Sequence, residues 1–315
     1  MTDCKEIRAD SLGTESGRAL RETLAYPAKV HCYRYLVANF FRREFFGRFK
    51  GSMLGVGWVM IEPVTLFFIY FFVFGLLFNM RAMEGMPGDW YPFYLFSGVV
   101  SWLIFANTTS MGLATAVENG NLIKKVAFPA ELLPFSLVLV NLIVLGVGTG
   151  ILGVSAVAWA LISPETAPIQ SWPGLKLLLL VPLSLEVALF SLGFTLLLAT
   201  IYVFLRDIHQ IWNVFMLFWF FATPIFWHEG MLKNSPSYQA MKSFMEINPY
   251  YHFVQGYRSC LGLYDYPAAL HGLGVESAAQ VAGHACLVGF LPSLVVFLVG
   301  CYFFNLFKKR FADEV

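Results

Sequence analysis

The chain has 315 residues, of which 58% are hydrophobic, 17% aromatic and only 13% charged. Soluble domains carry roughly 25% charged residues, so this composition excludes an ordinary soluble fold and points to a polytopic membrane protein. The net charge of +1 gives no sign of a nucleic-acid partner, and the information lies in how the charges are distributed.

Residues 1–32 are polar and contain no apolar core of a signal peptide. They are expected to form a mobile cytosolic tail. Residues 33–54 follow as an interfacial amphipathic helix, with Arg34, Arg42, Arg43, Arg48 and Lys50 interleaved with Phe40, Phe41, Phe45, Phe46 and Phe49. Cations meet lipid phosphate while rings sink to the acyl boundary, and each basic group near an anionic surface contributes on the order of 1 kcal/mol. A bilayer core needs about 20 apolar residues per helix. Six stretches qualify: 55–78, 93–117, 132–162, 177–205, 208–227 and 277–307. Four of them contain no charged residue, and the other two contain one each, Glu62 and Glu186. Residues 228–276 are too apolar for a simple loop, and Asn248-Pro249 inside them is a helix-start signal. Short helices before the last span are expected there, with an exposed amphipathic loop as the alternative. The fold class is therefore all-α and integral to the membrane, with a permease-sized domain over 55–307 and a short tail at 308–315.

Orientation follows from Lys and Arg. With the N-terminus in the cytosol, 16 basic residues lie inside and five outside, so both termini are read as cytosolic in a multi-pass plasma-membrane protein. Cys4, Cys32, Cys260, Cys286 and Cys301 form no CxxC pair, which argues against a disulfide framework or a zinc site. There is no GxxxxGK[ST] phosphate loop and no HExxH, so no metal or cofactor is expected in this chain. No cluster of intramembrane carboxylates suggests ion coupling. A transporter of this kind would draw its energy from another subunit.

Four stretches carry a resemblance. RREFFGRFKGSMLGVGWVMIEP at 42–63 resembles the N-terminal signature of type 2 ABC exporter permeases, in particular the branch that exports O-antigen, capsule and teichoic acid. ENGNLIKKVAFP at 118–129 is similar to that family's cytosolic coupling helix. Arg206-Asp207 resembles its turn after the fourth span. Thr223-Pro224-Ile225-Phe226, with Asn248-Pro249 and Tyr250 downstream, resembles its extracytoplasmic gate region. The resemblance implies a homodimer of six-span permeases with two ATP-binding cassette subunits, which would hold ATP and Mg. It implies export of a lipid-linked glycan, such as the O-antigen of lipopolysaccharide, or of a polyol phosphate polymer, across the bacterial inner membrane. Other readings are a permease for a drug or small lipid and, in a different class, a membrane-embedded transferase acting on lipid-linked sugars.

Each candidate residue also has a plain structural reading. Arg34, Arg42, Arg43, Arg48 and Lys50 either guide a phosphate headgroup or simply anchor the chain to membrane lipid. Asn121, Leu122, Ile123, Lys124, Lys125 and Phe128 either dock on the ATPase or lie on the bilayer with their lysines snorkelling. Arg206 and Asp207 are read first as a local ion pair and second as an ATPase contact. Pro63 kinks the first span, and Glu62 beside it is read as structural before substrate-binding. Glu186 is an intramembrane acid and so a functional candidate, without a nameable partner. Phe68, Tyr70, Phe71 and Phe105 are candidate pore aromatics. Trp58, Trp90, Trp102, Trp159, Trp172 and Trp227 are read as interface-belt residues.

Overall fold

The computed structural model describes residues 15–70, 72, 73, 77, 78, 90–125, 129–162, 164, 174–228, 236, 238–264 and 277–314. All regular structure among them is helical. Three helices lead in: α1 (Glu15–Leu24), α2 (Tyr26–Cys32) and α3 (Arg34–Gly47). Glycines at positive φ, Gly51 and Gly55, then turn the chain into α4 (Trp58–Tyr70), which carries Pro63 in its interior. The bundle continues with α5 (Trp90–Gly112), the short α6 (Thr115–Glu118) and α7 (Gly120–Lys125), and α8 (Leu132–Ile162). A 3₁₀ turn, Gly174–Leu179, leads into α9 (Leu180–Phe204), which is followed by α10 (Ile208–Ala222), α11 (Tyr238–Ile247), α12 (Pro249–Cys260), α13 (Ala278–Phe307) and α14 (Phe311–Glu314).

Three stretches are long and apolar enough to cross a membrane: Leu132–Ile162, Gly174–Phe204 and Ala278–Phe307. A helix of 31 residues such as α8 is about 46 Å long, which exceeds a hydrocarbon core of about 30 Å and calls for tilt. The 15 residues of α10 span only about 22 Å, because Pro224 follows one residue after its cap. The first expected span is helical over Trp58–Tyr70, and most of 71–78 lies outside the described residues.

The centre of the bundle is α5, which is buried almost without interruption from Trp90 to Phe105. It packs on α8, α9 and α12. α9 and α13 lie against each other at backbone distance: a Cβ on Gly193 would stand 2.5 Å from the Phe297 amide nitrogen, and one on Gly300 would stand 2.2 Å from the Gly193 carbonyl. α13 opens with a full capping box, in which Ser277 accepts from the Gln280 amide and the Gln280 side chain accepts from the Ser277 amide.

Several expectations need correction. Residues 15–32, assigned to a mobile tail, are two helices, and α1 packs along the end of α13. Trp90 and Trp102, assigned to an interface belt, are buried in the core, whereas Trp58 and Trp159 are more than one-third exposed. Cys260, Cys286 and Cys301 are free thiols, but Cys32 is disulfide-bonded.

Candidate functional site

The bundle is apolar along its length and polar at two levels. One level lies toward the end that carries both described termini. There Arg43 donates to the Glu44 carboxylate at 2.7 Å and to Asn119 Oδ1 at 3.0 Å, tying α3 to the residue between α6 and α7. Arg48 Nη1 donates to Asn141 Oδ1 at 3.3 Å, and Asn141 Nδ2 donates to Thr108 Oγ1 at 2.9 Å. This chain of bonds runs from the end of α3 through the first third of α8 to α5. Asn141 and Thr108 are fully buried. Arg48 Nε and Nη2 are also shielded from solvent and have no hydrogen-bond partner. Burial pushes the Arg48 guanidinium down from its ordinary range, and Glu44 and Glu62 oppose that shift.

A second cluster at the same end went unread in the sequence. Lys29 is buried and pairs with Glu131 at 2.7 Å and with Glu22 at 3.1 Å. Lys308, at the end of α13, contacts Glu22 and lies 3.8 Å from Glu131. Tyr26 Oη donates to the Glu131 carbonyl at 3.1 Å, and Asn305 Nδ2 donates to Thr23 Oγ1 at 3.3 Å. The cluster joins α1 and α2 to the residue before α8 and to the last residues of α13. Its sequence signal was a lone acid, Glu131, one residue ahead of a 31-residue apolar stretch.

The second level lies at the opposite end, where the chain breaks after α10. Asn248 caps α12 by accepting from the Tyr250 amide at 3.1 Å, and its Nδ2 donates to Thr223 Oγ1 at 3.0 Å. Trp219 Nε1 donates to Asn248 Oδ1 at 2.9 Å, and Tyr250 Oη donates to the Ser101 carbonyl. Pro224, Asn248, Pro249 and Tyr250, grouped by the resemblance, lie together here. Sequence reasoning missed the residue at its centre. Arg258 of α12 is fully buried, and its guanidinium donates to Pro224 O at 2.6 Å, Ile225 O at 2.7 Å, Tyr94 O at 3.2 Å and Ser97 Oγ at 3.2 Å. Its central carbon stands 3.5 Å from the Tyr94 ring centroid. The available signal was one cation in the otherwise uncharged Pro249–Cys260 run.

The remaining candidates are dispersed. Arg34 is exposed on α3 beside an apolar groove formed with Leu139, Leu142 and Ile143 of α8. Arg42 and Lys50 are exposed. Asn121 and Lys124 are exposed on α7; the side chains of Leu122, Ile123 and Lys125 and all of Phe128 lie outside the described residues. Arg206 lies over the Tyr202 ring, 5.4 Å from its centroid, in place of the expected pair with Asp207. Asp207 occupies the cap position of α10 without a side-chain capping bond. Glu62 is exposed, and Pro63 is buried inside α4. Glu186 is 2% exposed and fills the space over Gly289 of α13, where a Cβ would fall 1.8 Å from its Oε1. Phe105, expected to face a pore, is fully buried among Trp102, Phe190, Phe194, Trp219 and Tyr250. Phe68 is exposed; the side chain of Tyr70 and all of Phe71 lie outside the described residues. Among the described residues no group of three or more His, Cys, Asp or Glu is placed to hold a metal ion.

Three long apolar helices and an outer surface rich in exposed Leu, Val, Ile and Phe make this a multi-pass membrane protein. The chain belongs to the ABC-2 type transporter family, whose membrane domain matches residues 35–261, and it is a transport subunit of that kind. It is similar to the O-antigen export system permease protein RfbA of Myxococcus xanthus, with 27% identity over 231 residues covering 73% of this chain and 82% of that one. It is also similar to O-antigen export system permease proteins RfbA of Klebsiella pneumoniae, at 24% identity over 272 residues and 23% over 268, each covering 84% of this chain and 89% of the relative.

Proposed function

We propose that this chain is the membrane permease of an ATP-driven exporter that moves a lipid-linked polysaccharide of the O-antigen type out of the cytosol. The observation that carries the reading is the family match over 35–261 combined with relatives that all bear the name O-antigen export permease. In this reading the chain crosses the inner membrane six times with both termini in the cytosol. Two copies flank a conduit, and two ATP-binding cassette subunits hold ATP and Mg below them. The end bearing Arg43, Arg48 and Lys50 then faces the cytosol, where a lipid-phosphate headgroup arrives. The shielded, unpartnered N–H groups of Arg48 support a role for that end in receiving phosphate oxygens. Exposed apolar side chains on α4 and α10, among them Met60, Phe68, Val214 and Phe218, supply a face for lipid or a second copy.

The test is to purify the tagged chain from its native membrane and assay the preparation. An ATPase subunit should co-purify in equal amount, and ATP should drive a lipid-linked glycan into vesicles containing the pair. Glycan transfer by the chain alone would identify a transferase instead. ATP-driven movement of drugs or short lipids, with no effect on the glycan, would identify the other exporter class.

A further inference from the structure

The chain enters α7 just after Ala116 and rejoins the long helices at Ala130, and both residues belong to one buried apolar cluster. Val203 of α9, Phe304 of α13 and Phe311 of α14 belong to it too. Phe311 is fully buried, although Lys309 and Arg310 before it are exposed. Its ring meets Phe304 edge-on, with 5.1 Å between centroids, and stands 6.3 Å from that of Phe204, the last residue of α9. The turn that delivers it is fixed. The Arg310 amide donates to the Phe307 carbonyl at 2.8 Å, and the Lys308 side chain contacts Glu22 of α1. α14 in turn packs on α7. With six and four residues, α7 and α14 fall far below the roughly 12–15 residues at which an isolated helix begins to hold its shape in water. Packing must therefore supply what length does not. The other attachment described above, from Arg43 to Asn119, is exposed, and water competes for both groups there. The buried anchor in α14 is the Phe311 ring. α14 also lies outside residues 35–261, the part of the chain that the family's membrane domain covers.

We propose that Phe311 is a positioning residue for α7: it seats α14 on the ends of α9 and α13, and α14 holds α7 in the place where an ATPase subunit meets it. The hold on α7 is a property of this chain alone, and its service to an ATPase rests on the exporter reading. A partner pressing on α7 would then load α9 and α13 together, and these two helices already touch at backbone distance around Gly193 and Gly300. Without the ring, the long helices keep their own packing while α7 yields under the partner.

The test uses the full chain, purified in detergent and then joined with its ATPase in lipid vesicles. Phe311→Ala removes the ring, and Phe311→Leu keeps an apolar side chain in its place. Leu183→Ala opens a cavity in α9 near the opposite end of that helix from Phe204 and serves as the control for general loosening. Trypsin cleavage after Lys124 and Lys125, followed by mass spectrometry of the fragments, reads whether α7 is held. It should speed at least about fivefold in Phe311→Ala, by less than about twofold in Phe311→Leu, and not at all in Leu183→Ala. A partner that binds only seated α7 loses affinity in proportion to the seated fraction. The ATPase concentration for half-maximal glycan export should therefore rise at least about fivefold in Phe311→Ala and return to within about twofold in Phe311→Leu. Export at saturating ATPase should change far less. Phe311→Val should fall between Ala and Leu, and it keeps the test decisive if Phe311→Ala does not accumulate. Unchanged cleavage in both Phe311→Ala and Phe311→Val would overturn the hold on α7. Equal speeding in Leu183→Ala would show general loosening and overturn it as well. Selective cleavage with an unchanged ATPase requirement would overturn the service to the partner. If the unsubstituted chain recruits no ATPase, the exporter reading falls, and the cleavage rates still decide whether Phe311 holds α7.

Discussion

Gly98 and Gly283 separate two roles of one residue type. A Cβ at Gly98 would collide with the Arg258 guanidinium and with the Ile225 backbone, whereas a Cβ at Gly283 would meet nothing within 4 Å. Gly98→Ala is therefore expected to destabilise the chain by about 1–3 kcal/mol, the range for overpacking a tight core. Gly283→Ala, within α13, is expected to leave stability unchanged or raise it by up to about 1 kcal/mol through helix propensity. Denaturant unfolding of the purified chain in detergent, followed by intrinsic Trp fluorescence, checks both. Equal effects would mean that the space around Arg258 is not specifically reserved. Lys29 gives a second test at this scale. It is buried against Glu131, itself 1% exposed, so Lys29→Met leaves a carboxylate in a site where only the more distant Lys308 can answer it. The expected loss is on the order of 3 kcal/mol, the cost of breaking a buried pair from one side. Replacing Lys29 and Glu131 together by Met and Leu should recover most of it, and protease cleavage within residues 15–32 should follow the same order.

At the level of elements, legibility tracked how strongly a segment's own chemistry constrains it. The sequence range 132–162 coincides with α8, and 277–307 is α13 together with its Ser277 cap, because an uninterrupted apolar run has no competing conformation in a bilayer. The fifth expected span extended to 227 but its helix stops at Ala222, since apolar composition continues through Pro224 while backbone hydrogen bonding does not. The gate-like residues Asn248 and Pro249 were legible as a cap signal, and capping is a local interaction. Arg258 was not legible as a site residue, because its acceptors are carbonyls more than 30 positions away and carbonyls leave no mark on residue identity. Residues 15–32 were misjudged for a related reason. Their polar composition fits a tail, and only the three-dimensional meeting of Glu22, Lys29, Glu131 and Lys308 turns those charges inward. Phe105 illustrates the converse: an aromatic in a span has many apolar neighbours to choose from, and here they are the core.

At the scale of the whole molecule, α5 connects the two polar levels. Thr108 receives the Asn141 amide that also holds Arg48, while Tyr94 and Ser97 on the same helix hold Arg258 and the segment after α10. Ser97 and Thr108 are 11 residues apart on one continuous helix, a rise of about 16 Å, so a shift of α5 at one level moves the other with it. Just beyond α5 lie α6 and α7, with Asn119 bonded to Arg43 and α14 packed against α7. A partner that closed on α7 would act on the level around Arg258 through a rigid element, which is how a ligand shifts the population of two preexisting states. This makes a specific prediction for the complex with its ATPase. Non-hydrolysable ATP should change the maleimide reactivity of Ile225→Cys by at least about threefold, and Ile123→Asp in α7 should abolish that change while leaving the chain in the membrane and the reactivity without nucleotide unaltered. If nucleotide still altered reactivity at 225 in the Ile123→Asp chain, the signal would not pass through α7. If nucleotide never altered it in the unmodified background, the two levels would not be coupled through α5.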